Sequence, residues 1–290
     1  MVGSTELEPM INVPHVIAGE VTLLTDRKGA RSMEPSISPV LFCVFLFSGM
    51  LLLLEIGRRF GVKRRPKESD GERGSLGTIE GAVFALFGLL MAFTFSGAAS
   101  RFNEKRMMIA EEANTIETAY LRLRLVPESE PKLQELFRRY VDSRLETYRR
   151  LPNMKAAGRE MANSKAIQEE IWNEAVAATR LPSSHIAAAW LLLPALNSMI
   201  DITTTRTMAL QQHPPRIIYA LLFGLGLICS LLAGYRMAVG QQRSWLHILG
   251  FSLITVIVIY VFLDIEYPRT GLIRLEASDQ VLVALRDSMK

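Results

Sequence analysis

Cysteine is nearly missing from this chain: there are two, Cys43 and Cys229, in 290 residues, and each sits inside an apolar run. They read as small hydrophobes, not as a disulfide framework or a thiolate cluster. Histidine is just as sparse, with His15, His185, His213 and His247 scattered along the sequence. No CxxC, HExxH, paired Cys/His spacing or phosphate-cradling glycine loop occurs, so no metal and no cofactor is expected. A basic stripe is absent as well. From Arg101 to Pro215 there are 16 Lys plus Arg against 14 Asp plus Glu, a balanced surface that excludes a nucleic-acid partner. An amino-terminal signal is not evident either, because Val13 to Leu24 carries His15 and Glu20 without a basic segment ahead of it. Residues 1–38 are expected to form a disordered tail, and Met33, directly before an apolar segment, is a second candidate start.

What the chain does have is four long apolar runs in two pairs, Pro39 to Ile56 with Ile79 to Ala99, and Arg216 to Tyr235 with Leu246 to Asp264. Runs of this length, at ~1.5 Å per residue, cover about 27 to 32 Å, enough to cross a bilayer once each. The expected fold is an all-α membrane protein with four transmembrane helices (39–56, 79–99, 216–235, 246–264). A helical extramembrane domain, 100–215, is inserted between the second and third, and residues 265–290 form a tail. The mean hydropathy of +0.20 is mild because most residues lie outside the spans. The surplus of positive charge is local: the connector Arg58 to Gly74 holds seven basic and three acidic residues, a membrane-flanking loop that favours anionic headgroups.

On the second span, Gly81, Ala85, Gly88, Ala92, Ser96 and Ala99 recur at spacings of three and four and form a face for close helix contact. Phe84, Phe87, Met91 and Phe95 form another stripe, with Leu89 and Phe93 between. These apolar faces either pack in the bundle or against lipid, or line a hydrophobic constriction that gates by dewetting. The helix is expected to continue past Ser100, since no Pro or Gly occurs until Pro127 and Phe102, Ile109, Ile116 and Leu123 recur every seven residues, completed by Ala113 and Tyr120. Further helices are expected at Pro131 to Leu151, at Ser164 to Thr179 with Ser164 as N-cap after a loop 152–163, and as a pair Ser184 to Leu193 and Pro194 to Gln211. In the tail, Ser278 is expected to cap a short amphipathic helix bearing Val281, Leu282, Leu285 and Met289.

Polar residues near the spans admit two readings each. Glu55 and Glu80 stand at span ends as boundary residues. Asn197, Asp201 and Thr205 share a helical face next to Arg206, either as a salt-bridged interface or as a polar lining near a pore mouth. Asp264, Glu266 and Arg269 close the fourth span, where Pro268 and Gly271 force a turn. No nucleophile, base and orienting group stand in a recognisable pattern, so an enzyme is not expected, although Glu111, Glu112 and Asp201 could meet in space.

The stretch EGAVFALFGLLMAFTFSGAASRFNEKRMMIAEEANTIETAYLRL, followed by LPALNSMIDITTTRTMAL, HPP and DIEYPRTGLIR, resembles the bestrophin-like membrane proteins of bacteria over about Glu55 to Met289. The motif residues carrying the likeness include Phe102, Arg106, Glu112, Asn114, Asp264, Glu266 and Arg269. More distantly, FxxxxxRFxxxR around Phe95, Arg101, Phe102 and Arg106 is similar to the bestrophin channels, which are pentameric. The resemblance implies a homo-oligomer, pentameric if bestrophin-like, in a bacterial inner membrane, with a pore neck at Leu89 and Phe93, Arg101 nearby, and ions as the transported species. Asn103 replaces the second aromatic expected after Phe102, and no acidic cluster follows the fourth span, so calcium gating does not carry over. Bestrophin topology would place the helical domain in the cytoplasm, whereas the basic connectors predict it outside. A non-conducting membrane scaffold or sensor, with the helical domain binding a partner, is the other function class.

Overall fold

The computed structural model describes residues 39–64, 69–150, 153–238, 245–267, 273 and 276–289. The expectations for the 1–38 tail and Met33, and for Arg269 and the turn at Pro268 and Gly271, lie outside them. Every regular element among the described residues is helical: α1 (Pro39–Arg64), α2 (Asp70–Leu121), a 3₁₀ turn (Arg122–Leu125), α3 (Glu130–Arg149), α4 (Met154–Ala178), α5 (Ala188–Gln211), α6 (Arg216–Met237), α7 (Trp245–Glu266) and α8 (Glu276–Ser288). Four of these, α1, α2, α6 and α7, are long and apolar enough to cross a membrane.

The spine is α2. Its 52 residues extend about 78 Å at ~1.5 Å each, running unbroken through the Ala99 to Arg106 region as the sequence predicts. Its start lies earlier than the apolar run, because Ser69 and Glu72 form a reciprocal capping box that satisfies the first backbone N–H groups. One helix serves two apolar cores. In the first, Phe87 and Ala98 meet Cys43, Leu46 and Met50 of α1, Leu222 and Cys229 of α6, and Ile259 and Phe262 of α7. In the second, Ala113, Ile116 and Ala119 pack with Leu133, Phe137 and Tyr140 of α3, Ile171 of α4, Leu192 and Leu196 of α5, and Leu282 of α8. The seven-residue repeat supplies Ile116 and Leu123 to the second core; Ile109 is buried as well, and Phe102 is half-buried.

Between α1 and α6 the contact is backbone to backbone. A Cβ added to Gly57 would collide with the Leu231 carbonyl oxygen, and one added to Gly234 with that of Leu54. Glycine lets the two helices approach this closely.

Four local expectations are corrected. Residues 154–163 are not a loop: α4 starts at Met154, where the Asn153 side chain accepts a hydrogen bond from Ala156 N–H at 3.1 Å. Ser164 is an interior residue whose Oγ bonds Ser143 Oγ at 2.7 Å. Pro194 does not divide two helices but lies within α5; as the seventh residue it gives up a backbone bond to the turn before it, and the buried stripe Ala188, Leu192, Ala195, Leu196 and Met199 that runs straight through it offsets that cost. Ser278 falls inside α8, which begins at Glu276. That helix docks on the body through Leu282, Leu285 and Met289, while Val281 faces out.

Candidate functional site

In its apolar half, α2 turns Phe84, Phe87 and Met91 of the stripe inward, whereas Phe95 is exposed. Phe87 is buried against Gly226 and Phe84 meets Phe251 edge-on, 5.9 Å between ring centres. The opposite face is left open: Gly81, Ala85, Gly88, Ala92 and Ser96 are exposed, along with Leu86, Leu89 at 53% and Phe93 at 69%. A Cβ on Gly81 or Gly88 would meet nothing. Of the most apolar stretch of each long helix, 11% is buried in α2, against 28% in α1, 28% in α6 and 39% in α7. The second span is therefore the one the chain encloses least.

Two turns further on, charge gathers. Arg101 forks onto the fully buried Glu266 carboxylate, with Nη2 at 2.8 Å. His213 Nδ1 lies 3.4 Å from the same carboxylate, its ring stacked on Tyr267 at 4.9 Å. Lys105, one turn along α2 from Arg101, is also buried. This junction of α2, α7 and the α5–α6 link thus gathers the cations Arg101 and Lys105 around the Glu266 carboxylate, and Arg101 enters it already paired. Nearby, Asp264 accepts the Ile273 N–H at 2.7 Å, pinning the chain after α7.

Deeper along α2, Glu112 is fully buried at a junction of three helices. Arg144 Nε of α3 donates to one carboxylate oxygen at 2.7 Å, and Arg206 of α5 and the Tyr148 hydroxyl donate to the other. Arg206 also reaches Asp279 of α8 at 3.2 Å and lies over the Tyr148 ring. Burial alone would raise the Glu112 carboxyl, but the two guanidinium groups outweigh it and hold it at about 2. Tyr148 is pushed up, chiefly by burial. Beside this cluster the Tyr140 hydroxyl and Thr203 Oγ1 share a hydrogen bond at 3.0 Å, and the Gln168 amide donates to Tyr140 at 3.0 Å.

A consequence follows for acid stability. A carboxyl held near 2 when folded and about 4.3 when unfolded stabilises the fold fully above pH ~4.3, and that stabilisation is lost as pH falls toward 2. The contribution is ~3 kcal/mol, with roughly 2 kcal/mol lost by pH 3. Thermal unfolding in detergent from pH 7 to pH 3 should show this loss, and Glu112→Gln, already less stable, should show a flatter profile over that interval.

The residues singled out in the sequence thus fall into separate places. Leu89 and Phe93 share the open face. Arg101 and Glu266 meet. Glu112 and Arg206 meet, whereas Arg206 parts from Asn197 and Asp201, which are exposed and paired with one another at 2.9 Å. Phe102 is half-buried, and Arg106, Glu111 and Asn114 face out. Glu55 takes Arg58 and Arg59, and Glu80 takes Arg236. Sequence reasoning missed Arg144, although one signal was present: it interrupts the buried stripe Phe137, Tyr140, Tyr148 at helical spacing, where a charge needs a partner. Among the described residues no group of His, Cys, Asp and Glu is arranged to hold a metal ion.

A family model described as the bestrophin-like domain matches residues 44–279. No curated protein and no solved structure matches. The match spans both helix pairs, the unbroken α2 and both ion clusters, and the chain belongs to the bestrophin-like family.

Proposed function

We propose that copies of this chain assemble in the membrane around the open face of α2 to form an ion channel. The observation that carries this reading is the low burial of the second span, 11%, on the helix that also forms the centre of both cores. Small residues on this face permit close packing between copies, and Leu89 and Phe93 form an apolar neck that conducts only when wet. A pentamer is the assembly favoured by family membership. Arg101 and Lys105, with the Glu266 and Asp264 carboxylates at the same junction, set the potential at one end of the neck. In this reading the helices between the second and third spans, 100–215, form a domain beside the membrane, and the positive charge of the connectors supports a position outside the cytoplasm of a multi-pass inner-membrane protein.

Flux in liposomes tests the proposal. Leu89→Ala with Phe93→Ala should widen and wet the neck and raise ion flux over the wild type. Gly88→Leu with Ala92→Leu should lower the assembly state in crosslinking and sedimentation, and because Gly88 meets nothing within its own chain, the effect reports contacts between copies. Silence of both wild type and the double alanine variant, in folded and oligomeric protein, would overturn the channel.

The second reading, a non-conducting scaffold, draws on a different surface. Ile186, 94% exposed and just before α5, and Trp190, 82% exposed in its first turn, are large apolar side chains suited to a protein partner. Under this reading none of the variants conducts.

A further inference from the structure

At the connector end of the apolar bundle, α1 and α6 touch backbone to backbone at Gly57 and Gly234, while the first turns of α2 stand off from them. The bridge across this end is the ion pair of Arg236 on α6 with the buried Glu80 on α2, at 3.2 Å. Between the three helices lies a cavity of about 1080 Å³, at the top of the range of roughly 300–1,000 Å³ typical of ligand pockets. Its walls are apolar, built from Leu53, Ile56 and Phe60 of α1, Leu76 and Ile79 of α2 and Leu232 of α6. Arg64 stands at its polar end, next to Lys63.

The charges at this end are unevenly satisfied. Arg58 and Arg59 are spent on Glu55. Two acids line the slot, and both are engaged: Glu72 by Ser69 in the capping box and Glu80 by Arg236. Lys63 and Arg64 are exposed, with no acidic partner among the described residues. An apolar slot at the connector end of the spans, ending on Arg64 with Lys63 beside it and neither paired with an acid among the described residues, matches one kind of molecule: an acyl chain joined to an anionic phosphate.

We propose that this cavity is a binding site for an anionic phospholipid, with one chain between α1, α2 and α6 and the phosphate on Lys63 and Arg64. The site needs only that these helices lie in a bilayer and does not depend on conduction.

The test is lipid retention by the full chain, purified in detergent and read by native mass spectrometry, with dioleoyl phosphatidylglycerol and dioleoyl phosphatidylcholine supplied at equal concentration. A basic side chain near an anionic membrane surface favours it by about fivefold, so two cations should give a preference on the order of 25-fold for phosphatidylglycerol. Lys63→Gln with Arg64→Gln, both exposed and outside the cores, should bring the ratio close to one, and Lys63→Arg with Arg64→Lys should keep it. Ile79→Trp, which fills the slot, should cost both lipids alike while the preference of any residual lipid stays. Free glycerol phosphate should not displace the bound lipid. Equal retention of the two lipids by the wild type overturns the proposal, as does an unchanged ratio in the glutamine pair. Displacement by glycerol phosphate would mean a free-anion site instead. If wild type holds no lipid and Ile79→Trp breaks the oligomer, the slot is filled by a second copy and the lipid assignment fails.

Discussion

Gly234→Ala, a single added methyl group, is expected to abolish correct packing of the first and third spans, and Gly57→Ala should do the same. Each new Cβ falls on a carbonyl oxygen of the facing helix, and neither partner is a side chain that can swing aside. The helices must separate along their length, losing the contacts of Leu46, Met50 and Leu54 with α6 that depend on this spacing. Overpacking a core commonly costs about 1–3 kcal/mol when side chains can adjust, and a backbone collision should exceed that. Thermal denaturation in detergent and the yield of monodisperse protein measure it. Gly158→Ala in α4 is the control: with open space around it, alanine there should be neutral or stabilise by up to about 1 kcal/mol through helix propensity. Equal stability of Gly234→Ala and Gly158→Ala would refute the backbone contact.

Glu112→Ala should be comparably damaging for an electrostatic reason. Removing the carboxylate leaves Arg144 and Arg206 facing each other in a buried site, with Asp279 the one remaining acid drawn in from α8. Breaking a buried ion pair by deleting one partner costs about 3–5 kcal/mol, and two guanidinium groups are stranded here. Because α2, α3, α5 and α8 converge on this point, the loss should loosen α8 first, detectable as faster hydrogen exchange over 276–289. Replacing the cluster together, Glu112→Leu with Arg144→Met and Arg206→Met, should recover much of the stability, since apolar groups of similar volume avoid the desolvation cost. Failure of that recovery would point to a role for the charges beyond holding the helices.

The site was partly legible. Leu89 and Phe93 could be placed on one face because helical periodicity within a single segment fixes which residues point the same way. That the chain leaves that face open follows from where α6 and α7 pack, and spacing says nothing about that. The Arg101 to Glu266 pair links positions 165 residues apart, and proximity in sequence gave no hint of it. Asn197, Asp201 and Arg206 illustrate the converse error: closeness along α5 suggested one group, but a helix turns about 100° per residue and carries Arg206 to the buried side.

Taken by itself, the sequence determined the four apolar helices, the unbroken passage of α2 out of the apolar run and the burial of Ile109, Ile116 and Leu123 from the seven-residue stripe, since all three rest on local properties: run length, absence of Gly and Pro, and period. The tertiary structure alone decided the rest. It tolerated Pro194 because the stripe around it stays buried, turned Ser164 from a cap into an interior hydrogen-bond partner, gathered Glu112, Arg144 and Arg206 from three helices, and opened the slot between α1, α2 and α6. Each of these depends on which helix faces which, and that is set by the summed fit of many side chains distant in sequence.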